Sequence, residues 1–267
     1  MYKNLSCRCL VQRYRFPVGL FLSVFLSKEA VLKINLYRTY ENLSKTKDKE
    51  SFFKTLQKAA SDLGFEYCAY GVRPIYPLSA QQPQVINNYP IGWNQAYQSN
   101  NYFEIDPTVQ HGLRSTQALF WEDDLYRTSP YFWEEAKAFG INHGISQAQK
   151  DSIGRVGMLT FASPDQHYTA KTLLVQAPSL IWLSQIAHNR LAEYLLPQEN
   201  HEADYQLTKR EKDILRWTAE GKTSNEIAIL MSISDRTVNF HVNNILKKLS
   251  VSNKTAATVK AMVLNLL

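Results

Sequence analysis

Cysteine is scarce in this chain, and its three cysteines do not form a recognisable framework. They are Cys7, Cys9 and Cys68 among 267 residues, and none stands at a metal-binding spacing from a histidine. A disulfide-stapled or zinc-organised fold is therefore not expected. No internal repeat is apparent either.

Catalytic motifs are also missing. His111, His143 and Cys68 occur singly, outside any nucleophile elbow, paired-carboxylate arrangement or metal-ligand motif. A core cysteine and ordinary histidines explain these residues better than an active site does. The acidic pair and downstream lysine of a phospho-acceptor domain are not found. We expect no enzyme activity, no cofactor and no metal.

The chain contains no long apolar run. An apolar stretch near the amino terminus is short. Residues 16–26 are mostly apolar and follow Arg8, Arg13 and Arg15, which resembles the hydrophobic region of a signal peptide. The run is too short for an easy membrane span, so we expect no stable membrane association. Two interpretations of residues 1–35 stay open: a start codon assigned too far upstream (Val31 as an alternative initiator), or a loose amphipathic arm.

Residues 207–267 carry the start and stop signals of four short helices. Thr208 and Glu211 form a capping box, and Thr223 with Glu226 forms a second. Gly221 supplies the permissive backbone that ends the first helix. Ser234 can cap a third helix, and a fourth apolar stretch follows at about 253–266.

The connection at 231–234 is short enough for a helix-turn-helix. The third helix buries Val238, Val242 and Ile245, so its opposite face is polar. Asparagine can pair with an adenine edge, an apolar ring can touch a thymine methyl group, and basic side chains hold phosphates. A small module with a merely polar outer face is the alternative. The candidate DNA-contacting residues are Lys222, Thr223, Arg236, Thr237, Asn239, Phe240, Asn243 and Lys247.

The distribution of charge agrees with this interpretation. The formal net charge is +6 and the pI is about 9.1, which by itself indicates nucleic acid only weakly. Residues 205–267 contain 10 basic and 5 acidic residues, whereas residues 39–204 contain 13 basic and 18 acidic residues. The positive excess therefore coincides with the helix-turn-helix.

The carboxy-terminal stretch resembles the LuxR-type (GerE-like) helix-turn-helix. That resemblance implies that the helix at about 234–248 enters the major groove, with Asn239 and Asn243 facing the bases. The matching residues are Leu207, Thr208, Arg210, Glu211, Leu215, Gly221, Lys222, Thr223, Glu226, Ile227, Ala228, Thr237, Val238, His241, Ile245, Lys248 and Leu249.

The region 36–196 is predicted to be a separate domain of mixed structure. Helical patterns cover 37–43, 51–63 and 173–195, and strand-like patterns cover 67–72 and 155–162. The polar stretch 197–206 has the composition of a linker, which leaves 207–267 as the second domain. We predict an α+β fold: an α/β/α sandwich with a central antiparallel sheet, followed by an all-α four-helix helix-turn-helix domain.

Aromatic residues concentrate between 88 and 121. Tyr89, Trp93 and Tyr97 are four residues apart, so if this segment is helical they share one helix face. Each of these rings has a polar group, which suits an apolar pocket with a few polar points. Asp106 precedes Pro107 and is therefore held in an extended or turn conformation. An aromatic core with a helix-capping aspartate is the alternative.

The spacing of these residues, continued through Trp121 and the 139–144 segment, resembles the autoinducer-binding domain of LuxR-type quorum-sensing receptors. The resemblance implies an N-acyl-homoserine lactone ligand. Trp93 would donate to the lactone carbonyl, Tyr89 would donate to the amide carbonyl, and Asp106 would accept from the amide N–H. Thr160 would also face the head group. Tyr97 and Trp121 would wall the site, and Gly144 would leave room for the acyl chain.

The resemblance also implies a ligand-biased assembly switch. An empty pocket with an unpaired carboxylate would be a poorly stabilised core that the ligand completes, raising the folded population and favouring a homodimer. Two helix-turn-helices would then bind a palindromic operator in double-stranded DNA, with RNA polymerase a further candidate partner. A cytoplasmic location is expected. The alternative is the same architecture responding to a non-lactone molecule or acting without a ligand.

Overall fold

The computed structural model describes residues 35–77, 82–165, 170–197 and 205–267. The predicted amino-terminal extension, except for its last residue, lies outside these ranges. So does most of the predicted linker at 197–206.

Two helices open the described part of the chain, α1 (Leu36–Ser44) and α2 (Lys49–Asp62). Asp48 caps α2, because its side chain accepts a hydrogen bond from the backbone N–H of Ser51 while the Ser51 side chain pairs with the backbone of Asp48. The two helices predicted from the hydrophobic pattern are therefore confirmed, with ends that differ by one or two residues.

A central antiparallel sheet follows, and within the described ranges it has five strands in the order β2-β1-β5-β4-β3. Strands β1 and β5 pair along their whole length at the centre of the sheet. The sequence predicted these two strands and missed the other three. The strands are β1 (Tyr67–Pro74), β2 (Gln84–Asn87), β3 (Leu119–Phe120), β4 (His143–Lys150) and β5 (Arg155–Ser163).

Short helices cover one face of the sheet and a long helix lies on the other side. One short helix, α4, contacts both β4 and β5, whereas the long helix α7 packs against β1, β4 and β5. The elements are α3 (Ile91–Ser99), a 3-10 turn (Tyr102–Glu104), α4 (Pro107–Arg114), α5 (Asp123–Thr128), α6 (Pro130–Ala138) and α7 (Ala170–Leu195).

The sheet separates two clusters of buried side chains. Alternate residues of a strand point to opposite faces, so Leu159 and Phe161 of β5 pack with α2 and α7 in a hydrophobic core that includes Leu183. The opposite face carries an aromatic cluster that includes Trp93 and Trp133. This arrangement confirms the predicted α/β/α sandwich.

The carboxy-terminal part is all helical and has its own core, in which Ile214, Ile227 and Val242 are buried together. Both predicted capping boxes are present, and Ser234 caps the third helix as predicted. Gly221 has a φ of +84°, a left-handed conformation that favours glycine. The helices are α8 (Lys209–Ala219), α9 (Ser224–Met231), α10 (Asp235–Lys248) and α11 (Lys254–Val263).

Among the helices in the described ranges, none combines the length and the apolar character that crossing a membrane would require.

Candidate ligand cavity and DNA-binding face

A cavity of about 660 Å³ lies between the sheet and the short helices that cover it. This volume falls within the ~300–1,000 Å³ that is typical of small-molecule sites. Met158 and Thr160 of β5 face the cavity, because they alternate with the core residues Leu159 and Phe161. The strand alternation predicted for β5 is confirmed.

Six of the seven residues predicted to bind a ligand line this cavity. Tyr89 does so from outside a helix, because α3 begins at Ile91, after Pro90. The prediction that three rings share one helix face is therefore wrong for Tyr89, although its ring reaches the same space. The six are Tyr89, Trp93, Tyr97, Asp106, Trp121 and Thr160.

Asp106 caps α4 and is 7% exposed. Its Oδ1 accepts hydrogen bonds from the backbone N–H of Thr108 (2.8 Å) and from the Thr108 hydroxyl (2.7 Å), and its Oδ2 accepts one from the Tyr97 hydroxyl (2.9 Å). The prediction of an unpaired carboxylate is therefore wrong, and the capping role that was the alternative is present. Burial raises the pKa of the Asp106 carboxyl above its ordinary value, although the hydrogen bonds from Thr108 and Tyr97 oppose this shift.

Two hydrogen-bond donors at the same end of the cavity are not engaged by the protein. Trp93 is almost fully buried and its ring packs against Tyr97 and Phe132, yet no described residue accepts from its indole N–H. The Tyr89 hydroxyl likewise has no partner in the described part of the chain. A molecule in the cavity with two acceptors could satisfy both groups.

Trp121 is held by a series of side-chain hydrogen bonds that extends over two neighbouring strands of the sheet. Its indole N–H donates to the Ser146 hydroxyl (3.1 Å), which lies 3.0 Å from the Thr160 hydroxyl on the neighbouring strand. Trp121 therefore walls the cavity in a fixed orientation.

Sequence reasoning missed Thr108 and Ser146. Thr108 stands two residues after Asp106, where an aspartate commonly caps its own helix, so this local pattern could have identified it. Ser146 lies in β4, a strand that was not predicted.

Gly144 was predicted to leave room for the acyl chain, but it is not among the residues that line the cavity. A Cβ atom there would lie 2.6 Å from the carbonyl oxygen of Phe161 and 3.0 Å from the Trp121 ring. The absence of a side chain at Gly144 therefore makes room for Trp121 and the adjacent strand. It does not make room for an acyl chain, as had been expected.

The second candidate site is the exposed surface of α10 and the residues that precede α9. Helices α9 and α10 are joined by a turn in which Ser232 has a φ of 53°. Val238, Val242 and Ile245 of α10 are buried, so the opposite face of the helix points to solvent. Seven of the eight predicted DNA-contacting residues are exposed: Lys222, Thr223, Arg236, Asn239, Phe240, Asn243 and Lys247.

The eighth residue, Thr237, is half-buried, and its hydroxyl lies 2.7 Å from that of Ser234. Asn239 is exposed but engaged: its amide oxygen accepts from Ser224 (3.0 Å) and its amide nitrogen donates to Asp235 (3.2 Å). These bonds fix the orientation of the amide on the surface of α10.

An ion pair between a buried carboxylate and a half-buried lysine ties α8 to the end of α10. Glu211 is 2% exposed, and its carboxylate accepts from Lys248 (2.8 Å) and from the backbone N–H of Thr208 (2.7 Å). Although burial opposes the shift, these hydrogen bonds lower the pKa of Glu211. The contact fixes the helix that presents the candidate DNA-binding face.

Comparison with known protein families matches both parts of the chain. Residues 48–191 match the family described as "Autoinducer binding domain", and residues 205–261 match "Bacterial regulatory proteins, luxR family". The transcriptional activator protein AnoR of Acinetobacter nosocomialis is 42% identical over 225 residues, which cover 83% of this chain and 94% of AnoR.

Two solved structures show the same similarity. The structure of SdiA, a regulatory protein of Escherichia coli, in complex with octanoyl-rac-glycerol has a TM-score of 0.66 and 32% identity, covering 85% of this chain and 93% of SdiA. CepR2, an N-acylhomoserine-lactone-dependent LuxR family transcription factor from Burkholderia cenocepacia, has a TM-score of 0.55 and 28% identity, covering 60% of this chain and 95% of that structure. The chain therefore belongs to the LuxR family of quorum-sensing transcription regulators, which join an autoinducer-binding domain to a DNA-binding helix-turn-helix.

Proposed function

We propose that the small molecule sensed by this regulator is an N-acyl-homoserine lactone. The observation that carries the proposal is the division of the 660 Å³ cavity into two ends. One end gathers two unengaged donors, Tyr89 and Trp93, beside the carboxylate of Asp106. The remainder is lined by apolar side chains such as Leu113 and Met158, together with polar ones such as Arg73 and Gln84.

The carboxylate of Asp106 is the acceptor at this end of the cavity. Its Oδ1 accepts two hydrogen bonds from Thr108 and its Oδ2 accepts one from Tyr97, and the backbone of Val109 also bonds to the carboxylate. We assign Oδ2 as the acceptor for the N–H of a ligand amide. An amide N–H left unpaired in this site would cost about 1–3 kcal/mol.

The two unengaged donors complete the head-group assignment. We assign the indole N–H of Trp93 to the lactone carbonyl and the hydroxyl of Tyr89 to the amide carbonyl. Thr160 contacts the head group from the sheet, and Tyr97 and Trp121 wall it. The acyl chain then lies against the apolar lining, where each buried methylene contributes about 0.8 kcal/mol.

The regulatory output follows from the second domain. We assign residues 36–196 to the ligand-binding domain and 207–267 to the DNA-binding domain. Within the latter, Asn239, Asn243 and Phe240 face base edges. Lys222, Thr223, Arg236, Thr237 and Lys247 contact the backbone of a palindromic operator, from which RNA polymerase is recruited or excluded.

Dimerisation through α7 and α11 is part of the proposal. Exposed apolar side chains support it: Ile181 of α7 is 45% exposed, and Tyr37 of the adjacent α1 is 74% exposed. Met262 of α11 is exposed as well. Two copies that bury these side chains would bring two helix-turn-helices to two half-sites.

The decisive test is ligand binding by the purified full-length protein. Octanoyl-homoserine lactone and octanoyl-rac-glycerol, which have acyl chains of equal length, are titrated separately, since the glycerol ester has hydroxyl groups but no amide N–H to offer Asp106. We expect the lactone to bind more tightly. We also expect Trp93→Phe and Tyr89→Phe to weaken lactone binding by at least about tenfold each, because each variant removes one donor. Tyr89→Phe keeps its ring, whereas Trp93→Phe replaces the indole with a smaller aromatic ring.

Tyr131→Phe is the matched control, because it removes a hydroxyl from a ring that is 70% exposed. Unchanged lactone affinity in both Trp93→Phe and Tyr89→Phe would disprove the head-group assignment. Tighter binding of the glycerol ester than of the lactone would instead support the alternative of a non-lactone effector.

A further inference from the structure

The cavity wall contains a cationic side chain with an unused hydrogen-bond donor. Arg73 of β1 lines the cavity, and its Nε is buried with no acceptor within hydrogen-bonding distance among the described residues. The guanidinium carbon lies 5.9 Å from the centroid of the Phe103 ring, which also lines the cavity.

Arg73 stands away from the head-group end. In the central strand pair Ala69 lies opposite Thr160, and Arg73 lies opposite Val156. At about 3.3 Å per residue, the backbone of Arg73 is therefore ~13 Å along the strand from the level of Thr160. The apolar lining residue Leu113 lies toward the same end of the sheet, since its carbonyl accepts from the side chain of Lys150, and Lys150 pairs with Val156. The side chain thus belongs to the part of the cavity that would hold an acyl chain.

The described surroundings of Arg73 stabilise its positive charge but do not supply an acceptor for its buried N–H. The face of Phe103 attracts the cation, but a ring does not replace an acceptor in the plane of the guanidinium. Arginine has only donors, so a buried N–H of this group needs an oxygen or nitrogen acceptor. A plain alkyl chain beside it would keep water away and leave the donor unpaired, which is unfavourable.

We propose that Arg73 selects a ligand whose acyl chain carries an oxygen acceptor beyond the amide. The inference rests on the proposed lactone ligand and adds a specificity-determining residue to it. The guanidinium donates to a hydroxyl or carbonyl oxygen of the chain, so an oxygenated chain binds more tightly than a plain chain of equal length.

The test measures dissociation constants of the full-length protein for three dodecanoyl-homoserine lactones. One has a plain chain, one has a hydroxyl on the third carbon, and one has a hydroxyl on the terminal carbon. Hydrogen bonds to charged groups are among the stronger ones, so we expect at least one hydroxylated ligand to bind about tenfold more tightly than the plain one. The position of the preferred hydroxyl shows which part of the acyl chain the guanidinium contacts.

In Arg73→Met, which keeps a long side chain without donors, we expect this preference to disappear while the plain ligand binds at least as well as before. Arg73→Lys should retain part of the preference. Arg114→Met, at an exposed position of α4, is the control and should leave the preference intact.

Equal affinity of the wild-type protein for all three ligands would overturn the inference, whether or not the variants fold. So would a preference that survives in Arg73→Met. Failure of the proposed function looks different, because the wild-type protein would then bind none of the three lactones.

Discussion

Tyr97 donates its hydroxyl to Oδ2 of Asp106 across 2.9 Å, and so links α3 to the residue that caps α4. Burial and the neighbouring carboxylate both raise the pKa of Tyr97, which keeps the phenol protonated and able to donate. The contact has two consequences. It stabilises the ligand-free domain, and it orients Oδ2, the Asp106 oxygen that we assign to the amide N–H of the ligand.

Tyr97→Phe should therefore destabilise the ligand-free protein by about 1.5–3 kcal/mol, the usual effect of losing a hydrogen bond to a charged group. The ring contacts with Trp93 and Tyr102 (centroid distances of 5.6 and 6.0 Å) remain in this variant, so packing changes little. Urea unfolding measures the effect, with Tyr131→Phe as the control. Equal stability of the two variants would show that the hydroxyl contributes nothing.

The raised pKa of Asp106 predicts a pH dependence of ligand binding. The ionised carboxylate is the better acceptor for an amide N–H, so lactone affinity should fall as the pH falls through the pKa of this group in the folded protein. The effect on stability has the opposite sign: because the folded-state pKa is raised, the stability contributed by this group is lost as the pH rises through it.

Asp106→Asn should bind the lactone more weakly at neutral pH and lose the acid-dependent decline, since a carboxamide does not titrate. Calorimetric titrations from neutral to mildly acidic pH measure both properties. A decline that persists unchanged in Asp106→Asn would mean that another group titrates.

The sequence predicted the elements with strong local signals. Thr208 and Glu211 form their capping box as expected, because a hydroxyl three residues before a carboxylate is a local signal for the start of a helix. Strand β5 was recognised because its residues alternate between two faces. Strand β4 was missed because polar residues such as Ser146 and Gln147 interrupt its apolar pattern. The fold buries both, and they pair with the Thr160 hydroxyl and the Thr116 carbonyl.

The sequence predicted which residues line the cavity better than it predicted the hydrogen bonds between them. Six residues line the cavity as expected, because their identity and spacing are local properties of the chain. The partners of Asp106 depend on where α3 lies relative to α4, which is a tertiary property. Arg73 was missed for the same reason: it stands on a strand about thirty residues before Asp106, and only the folded sheet brings it to the cavity.

Gly144 and Gly71 provide a matched pair for testing the close packing behind the cavity. A Cβ atom at Gly144 would meet the Phe161 carbonyl at 2.6 Å, whereas one at Gly71 would meet Val85 at an ordinary 3.6 Å. Gly144→Ala should destabilise the protein by about 1–3 kcal/mol through overpacking, and Gly71→Ala should have a much smaller effect. Thermal unfolding of the two variants compares them directly, and similar destabilisation would contradict the placement of Trp121 over Gly144.

The Glu211–Lys248 contact predicts an acid sensitivity of the DNA-binding domain. Because the folded-state pKa of Glu211 is lowered, its stabilising contribution is present above the unfolded pKa of this group and is lost as the pH falls through the folded one. Glu211→Gln should cost about 2–3 kcal/mol at neutral pH and flatten this dependence. Hydrogen exchange of α8 and α10 in the full-length protein measures the change, and Glu220→Gln, at an exposed position, is the control.

The exposed face of α10 predicts two different kinds of DNA-binding defect. Asn243→Ala and Asn239→Ala should each relax the preference at one base position by about 1–3 kcal/mol. The effect at Asn239 includes the release of Ser224 and Asp235, which hold its amide in the free protein. Lys247→Ala should instead weaken binding to all sequences alike and reduce the salt slope by about one. Binding to an operator and to its single-base variants at several salt concentrations separates the two effects, and an equal loss of specificity in the lysine and asparagine variants would contradict this division of roles.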